Sequence, residues 1–201
     1  MKNILLLTDY KFFDSSKDFY LLSNVSFFKN IDLKNQKIKY KIIDNLSQNY
    51  QSRYNDTTMI DKIIFSVEQD LYQGLNYYHS TTFSHRYWKI ILGHWVARFI
   101  RTVYFRYKIL DKCLNNDHII DLIHISKCDS YTQSIDQTNN FWLASMDNEW
   151  NFNLFSKILI KCFKEKCDLN YIDTKEYQFI PSISNKIDTK KEFIKNRLLK
   201  F

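Results

Sequence analysis

Hydrophobic residues in the first part of the chain occur in short runs that are separated by polar segments. Residues 2–8 and 19–25 form apolar runs of strand length, and residues 39–43 alternate between polar and apolar side chains. These patterns predict three β-strands, of which the first two are buried. The polar residues 44–56 then predict a loop.

Two longer segments that follow have hydrophobic residues at helical spacing. The first extends from Thr57 to Gly74, and its apolar positions are Ile60, Ile63, Ile64, Val67 and Leu71. The second covers residues 84–114, with an apolar stripe of Trp88, Ile91, Leu92, Trp95, Phe99, Thr102, Val103 and Leu110. Its separate basic stripe consists of His94, Arg98, Arg101, Lys108 and Lys112. We therefore expect one long amphipathic helix with a core-facing side and a side that meets water or an anion.

Strand and helix patterns continue to alternate in the second half of the chain. We expect a strand at 118–126, a loop at 127–140, a helix at 149–163, a short strand at 171–173 or 178–180, and a terminal helix at 189–200. Strands that alternate with helices favour an α/β fold with a mainly parallel sheet. Since no Pro-, Gly- or Ser-rich linker interrupts residues 1–201, we expect a single α/β domain.

Charge and composition narrow the classes of partner and cofactor. The formal net charge of +7 favours anionic partners such as phosphorylated sugars, lipid headgroups or nucleic acid. Gly74 and Gly93 are the only glycines, so neither a G-x-G-x-x-G turn nor a P-loop can be written in this sequence. The sequence has no secretory signal pattern and no apolar run of membrane-spanning length, so we expect a cytoplasmic protein.

Cysteine and histidine spacing does not suggest a metal site. Cys113, Cys128, Cys162 and Cys167 lack ligand spacing and are expected to be reduced structural thiols. His118 and His124 would lie about 20 Å apart along one strand, too far to share one ion.

Two segments resemble the signature of a bacterial family of transferases found among surface-polysaccharide and O-antigen biosynthesis genes. Residues 86–95 and 104–107 are similar to the family's Ser-Leu-Arg-Tyr-Trp-Arg-Ile-Leu-Ile-Gly-Pro-Trp run and its Tyr-Asp-Arg-Tyr-like end. Residues 147–156 resemble its Ser-Asp-Glu-Trp-Asn-Leu segment, and residues 14–22 are a weaker match. His94 departs from the pattern, because members usually have proline there.

The resemblance implies a fold and an activity. Family members look like two-lobed GT-B glycosyltransferases and are longer than this chain, which would correspond to a Rossmann-like N-terminal lobe. That lobe faces the acceptor, a glycan or a phosphorylated sugar. A nucleotide-sugar donor would be bound by a missing second lobe, so no cofactor is expected here; the chain is then either a fragment or the partner of a C-terminal lobe in another chain. We accordingly expect a transferase of cell-surface polysaccharide synthesis that is inactive by itself.

Candidate binding residues lie at helix starts and strand ends. His85, Arg86 and Lys89 are near the start of the long helix, where free backbone amides favour an anion; the alternative is that Arg86 pairs with a structural carboxylate. Asp9 and Asp14 follow the first strand, at the edge where open α/β sheets bind ligands. Asp147 and Glu149 precede a helix, and either serve as caps or contact an acceptor hydroxyl as a general base.

A second function remains open on the same residues. The helix with Arg98, Arg101 and Lys108 on one side and aromatic residues on another is typical of interfacial helices, so the alternative is an anion- or membrane-binding module at the inner face of the plasma membrane. Single-stranded nucleic-acid binding is the weakest interpretation, since most aromatic residues fall on core-like stripes.

Overall fold

The computed structural model describes residues 4–6, 19–22, 40–43, 50–115, 120–127 and 138–172. Its strands are β1 (Ile4–Leu6), β2 (Phe19–Leu22), β3 (Tyr40–Ile43), β4 (Leu122–Ser126) and β5 (Asp168–Ile172). Its helices are α1 (Tyr50–Tyr78), α2 (His85–Asn115), α3 (Thr138–Ala144) and α4 (Asn148–Cys162).

All five strands form one parallel sheet in the order β3-β2-β1-β4-β5. Ile4 of β1 is in register with Phe19 of β2 on one side and with Leu122 of β4 on the other. The strand order therefore reverses direction between β1 and β4. In open parallel sheets this reversal opens a crevice at the carboxyl ends of the two strands.

The largest apolar cluster lies where α2 and α4 pack on the sheet. Fully buried members come from α2 (Leu110), β4 (Ile123, Ile125) and α4 (Phe155, Leu159). Helix α2 contributes to this cluster only from Phe99 onward, through Phe99, Val103, Tyr107, Ile109, Leu110, Cys113 and Leu114. The core thus positions one end of a 31-residue helix and leaves the other end to different contacts.

Helix α4 crosses the carboxyl edge of the sheet. The Ser126 backbone N–H, at the end of β4, donates a 2.9 Å hydrogen bond to Ser156 Oγ, which in turn donates to the Phe152 carbonyl. Residues 148–155 therefore precede the point of contact and extend about 12 Å past the end of β4. At the opposite edge, Lys166 Nζ donates to Asn115 Oδ1 and places the end of α2 near the start of β5.

Helices α1 and α2 form an antiparallel hairpin joined by a short turn. Asn115 of α2 lies at the amino edge of the sheet, and the helix continues for 30 residues before it. At 1.5 Å per residue α2 is about 45 Å long, whereas the five-residue strand β4 spans about 17 Å. The N-terminal half of α2 and the C-terminal half of α1, which packs against it, therefore extend beyond the carboxyl edge.

The predicted α/β class with a parallel sheet is confirmed, as are the strands near 2–8, 19–25 and 39–43. The long helix at 84–114 and the helix at 149–163 are also confirmed, each to within one residue. Part of the strand predicted at 118–126 is observed as β4, and the short strand predicted at 171–173 begins earlier, at Asp168. The alternative strand at 178–180 and the helix at 189–200 lie outside the described residues.

Two boundary predictions were wrong. Residues 50–56 belong to α1 rather than to a loop, and Gly74 lies inside that helix rather than at its end. The first error has a tertiary cause, because Asp56 is buried against α2 by a hydrogen bond that no local pattern reveals. Ile91 was also placed wrongly in the apolar core stripe, since it is 52% exposed.

Within the described part of the chain, neither long helix is apolar enough over a sufficient length to cross a membrane.

Candidate functional site

The two segments that carried the family resemblance meet in space at the carboxyl edge of the sheet. Arg106 of α2 donates from Nε to Asn151 Oδ1 at 2.8 Å and from Nη2 to the Ser145 carbonyl at 3.2 Å. Asn151 is fully buried and donates its amide N–H groups to the carbonyls of Ser145 and Asp147. The arrangement locks α2 to the start of α4.

Burial changes the acid–base properties of this arginine. Removal from water lowers the pKa of the Arg106 guanidinium to about 10, which still leaves it cationic at neutral pH. Its Cζ atom lies 5.9 Å from the centre of the Phe155 ring. A buried cation held by amide and carbonyl oxygens is a fixed positive charge close to the sheet edge, where open α/β folds bind their ligands.

The start of α4 is capped by Asp147. Its carboxylate accepts a 2.9 Å hydrogen bond from the Trp150 backbone N–H. Asp147 therefore has the capping role that was one of its two predicted roles. Glu149, the other candidate, lies in the first turn of α4 with its side chain exposed. Of the two, Glu149 is the carboxylate that a ligand at this edge could reach.

The start of α2 is organised by Asn76 at the end of α1. Its side-chain oxygen accepts from the Trp88 indole at 2.9 Å, from the Phe83 backbone N–H and from Thr81 Oγ1, while its amide donates to the Phe83 carbonyl. Trp88 therefore anchors the hairpin turn. The Tyr87 backbone N–H donates to Ser84 Oγ at 3.3 Å, so Ser84 caps α2.

Helix α1 ends in a Schellman motif. The backbone N–H groups of Ser80 and Thr81 donate to the carbonyls of Tyr77 and Asn76, and Ser80 adopts a left-handed φ of 52°. Side-chain and backbone hydrogen bonds thus fix the turn between the two helices from both ends.

A polar cluster lies inside the hairpin, one turn into α2. Glu68 of α1 is 2% exposed, and its carboxylate lies 3.6 Å from Lys89 Nζ. The ring centres of Tyr72 and His85 are 4.8 Å apart. Burial, and then the negative charge of Glu68, raise the pKa of Tyr72 to about 12.

This cluster contains two buried polar atoms without a hydrogen-bond partner among the described residues, Tyr72 Oη and His85 Nε2. Gly93 makes the close approach possible, because a Cβ there would lie 3.2 Å from Glu68 Oε1 and 3.1 Å from Lys89 Cγ. A carboxylate, a phenol, an imidazole and an ammonium group in one place can hold and transfer a proton.

A second buried carboxylate lies further along the hairpin. Tyr104 Oη donates to Asp56 Oδ1 at 2.7 Å, and Lys108 Nζ lies 3.5 Å from the same oxygen. Burial and the hydrogen bond to Asp56 raise the pKa of Tyr104 to about 12. Between the two clusters, Arg101 and Asp61 form an exposed pair at 3.3 Å.

The predicted site residues therefore lie in different places. His85 and Lys89 come together around Glu68, whereas Arg86 is exposed on α2 and Glu149 lies on α4. Arg101 and Lys108 pair with α1, and Arg98, three residues before Arg101 on α2, is half-buried. Asp9 and Asp14 lie outside the described residues.

Sequence reasoning missed the carboxylates that organise the hairpin. The buried face of α1 consists of Asp56, Ile60, Ile64, Glu68 and Tyr72, each four residues after the last. That spacing was visible in the sequence, but we followed only the apolar positions. Asn76 and Asn151 gave no comparable signal, since an isolated asparagine is usually exposed.

The thiols of the described residues are unpaired, with Cys113 buried and Cys162 exposed. Burial, and then the neighbouring Cys167, raise the pKa of Cys113 to about 12, so it is unreactive at neutral pH. Among the residues that the structure describes, no three His, Cys, Asp or Glu side chains are grouped to hold a metal ion.

Comparison with known proteins gives one assignment. No curated protein and no solved structure matches the chain. The family model described as LIC12162 family transferase matches residues 3–201, which include the Arg106–Asn151 junction and the whole hairpin. The chain belongs to the LIC12162 family of transferases.

Proposed function

We propose that this transferase chain is the acceptor-side lobe of a GT-B-like glycosyltransferase of cell-surface polysaccharide synthesis. The observation that carries the proposal is the all-parallel strand order β3-β2-β1-β4-β5. This is the order of the first five strands in Rossmann-like doubly wound sheets, which bind ligands where the order reverses. Transfer of a sugar is the activity that the resemblance implied for such a lobe.

The positions of the polar residues support an acceptor site at this edge. Arg106 bonds to Asn151, which lies five residues before the contact of Ser156 with the end of β4, and Glu149 is exposed in the first turn of α4. An acceptor hydroxyl needs a carboxylate that can take its proton. Glu149 is our candidate for that contact, and the cationic residues Arg86 and Lys89 are candidates for an acceptor phosphate.

The positions of the two glycines support a nucleotide-sugar site outside this chain. Gly74 and Gly93 both lie within helices, so neither can form the glycine-rich turn that cradles a nucleotide pyrophosphate. We propose that a second lobe holds the nucleotide sugar and that this chain alone does not complete the transfer. A cytoplasmic location is part of the proposal, since nucleotide sugars are made there.

Ligand-observed NMR on the full chain tests the proposal. We expect saturation transfer to oligosaccharides and sugar phosphates, and none to nucleotide sugars. Glu149→Gln should weaken glycan binding about tenfold, because one charge-assisted hydrogen bond is lost. Glu165→Gln, an exposed change at the opposite end of α4, is the matched control and should bind normally.

Two results would contradict the assignment. Binding of nucleotide sugars without binding of glycans would make this the donor side. Sugar transfer by the isolated chain would show that the site is complete without a second lobe.

A further inference from the structure

Exposed apolar side chains concentrate at the end of the α1–α2 hairpin, which we call the hairpin tip (residues 77–91). Tyr77 is 91% exposed, Tyr78 80% and Ile90 75%. The remaining exposed apolar side chains of the tip are Phe83, Tyr87 and Ile91. Six large apolar residues within 15 positions form a patch, which monomeric proteins rarely leave uncovered.

The tip lies in a segment without any negative charge. Residues 71–110 contain six Lys and Arg and no Asp or Glu, which gives +6 of the chain's +7. Everything outside this segment therefore sums to only +1. Within the tip itself, the charged residues are Arg86 and Lys89, and no Asp or Glu occurs.

Apolar and basic residues are arranged in sequence along one face of α2. Tyr87, Ile90 and Ile91 lie three and four residues apart and share a face, and His94 and Arg98 continue it toward the sheet. From His85 to Ile91 the helix rises about 9 Å, which matches the roughly 5–10 Å depth of interfacial insertion. His94 and Arg98 would then lie about 5–11 Å further out, at the level of lipid headgroups.

The tip is held rigidly while its apolar side chains remain exposed. Asn76 and the Schellman motif fix the turn, and Trp88 is buried by its bond to Asn76. Phe83 and Tyr87 stack with ring centres 4.1 Å apart. A preorganised patch loses little conformational entropy when it is covered.

We propose that the hairpin tip is a membrane-binding element, which inserts its aromatic and aliphatic side chains into the interface of an anionic lipid bilayer. Tyrosine is suited to this position, since its ring is apolar and its hydroxyl remains hydrated. The positive charge of the hairpin tip disfavours a second copy of the chain as the partner that covers it. A symmetric contact would bring two acid-free cationic segments together, whereas anionic lipid neutralises them.

Cosedimentation with vesicles tests the proposal on the full chain. The protein should sediment with vesicles of phosphatidylcholine mixed with phosphatidylglycerol, and much less with phosphatidylcholine alone. The triple variant Tyr77→Ser, Ile90→Ser, Ile91→Ser should lose about a hundredfold or more in partitioning. Arg86→Gln with Arg98→Gln should lose roughly thirtyfold, and only toward the anionic vesicles.

The matched control is Tyr50→Ser, Tyr54→Ser, Phe65→Ser. These exposed residues lie on α1 but away from the tip, so this variant should bind as the wild type does. Circular dichroism checks that each variant keeps its helices. No sedimentation of the wild type, or equal binding by tip and control variants, overturns the proposal. A dimer that the tip variant dissociates, without vesicle binding, would make the tip an interface between copies and also overturns it.

Discussion

The two halves of α2 are stabilised by different packing partners. The C-terminal half packs through Leu110 and Cys113 against α4 and β4 in the apolar core. The N-terminal half packs along α1, with Trp88 and Val96 buried and Lys89 next to Glu68. The C-terminal half is therefore held by the sheet and α4 as well as by α1, whereas the N-terminal half packs mainly on α1, so one continuous helix both enters the core and extends away from it.

The largest expected effect compares one truncation in each half. Leu110→Ala should lower the free energy of unfolding by about 2–5 kcal/mol, because it leaves a cavity in a fully buried site. Ile90→Ala removes a similar volume at the exposed tip and should change it by less than about 0.5 kcal/mol. Urea unfolding followed by circular dichroism measures both. Equal losses would mean that the tip is covered in the native protein.

A smaller effect is expected at the Arg106–Asn151 junction between α2 and α4. Asn151→Ala removes the acceptor of Arg106 Nε and should cost about 1.5–3 kcal/mol, the range for hydrogen bonds to a charged group. Asn55→Ala, at an exposed position of α1, is the control and should cost little. The same urea titrations measure the two variants. A wild-type midpoint for Asn151→Ala would show that the junction does not stabilise the fold.

The smallest effect concerns alkaline pH and the two tyrosines, Tyr72 and Tyr104, that lie beside the buried carboxylates of the hairpin. In the native state the pKa values of Tyr72 and Tyr104 are raised to about 12, whereas tyrosine in an unfolded chain ionises near about 10. Above about pH 10 the tyrosines of the unfolded chain lose their phenolic protons, whereas Tyr72 and Tyr104 of the native chain keep theirs until about pH 12. The stabilisation is therefore present below about pH 10 and is lost between about pH 10 and 12. Screening by solvent keeps the loss on the order of 1 kcal/mol for each tyrosine.

Thermal unfolding across this pH range measures the loss. Tyr72→Phe and Tyr104→Phe should each flatten the decline, since phenylalanine does not ionise. Tyr50→Phe, at an exposed position, should leave the decline unchanged. An identical decline in all variants would place the alkaline sensitivity outside the hairpin.

The sequence predicts the elements that are stabilised by periodic apolar burial, but not the contacts that are made by polar pairs. Helix α2 and the parallel strands follow from the periodicity of apolar residues, because burial of apolar area stabilises both. The start of α1 and the roles of Asp56 and Glu68 depend on partners that are 21 to 52 residues away in sequence. Polar pairs of this kind leave no local period.

The candidate site was predictable in part for the same reason. The segments around Arg106 and Asn151 stood out as family-like motifs, yet nothing in either motif indicated that the two side chains bond to each other. Arg86 and Lys89 were predicted together as anion-binding residues. Helical spacing within α2 does not reveal that Lys89 lies next to the buried carboxylate of Glu68 while Arg86 is exposed.

Asn76 has a consequence for how the tip can vary. One side chain bonds to Phe83 and Trp88 at separations of seven and twelve residues, so the length of the intervening connection is set by those bonds. An insertion or an affinity label between Asn76 and Trp88 would break the hydrogen bond to the indole and allow the angle between α1 and α2 to change. The number of residues between Asn76 and Trp88 should therefore stay constant among relatives wherever this asparagine–tryptophan pair is kept.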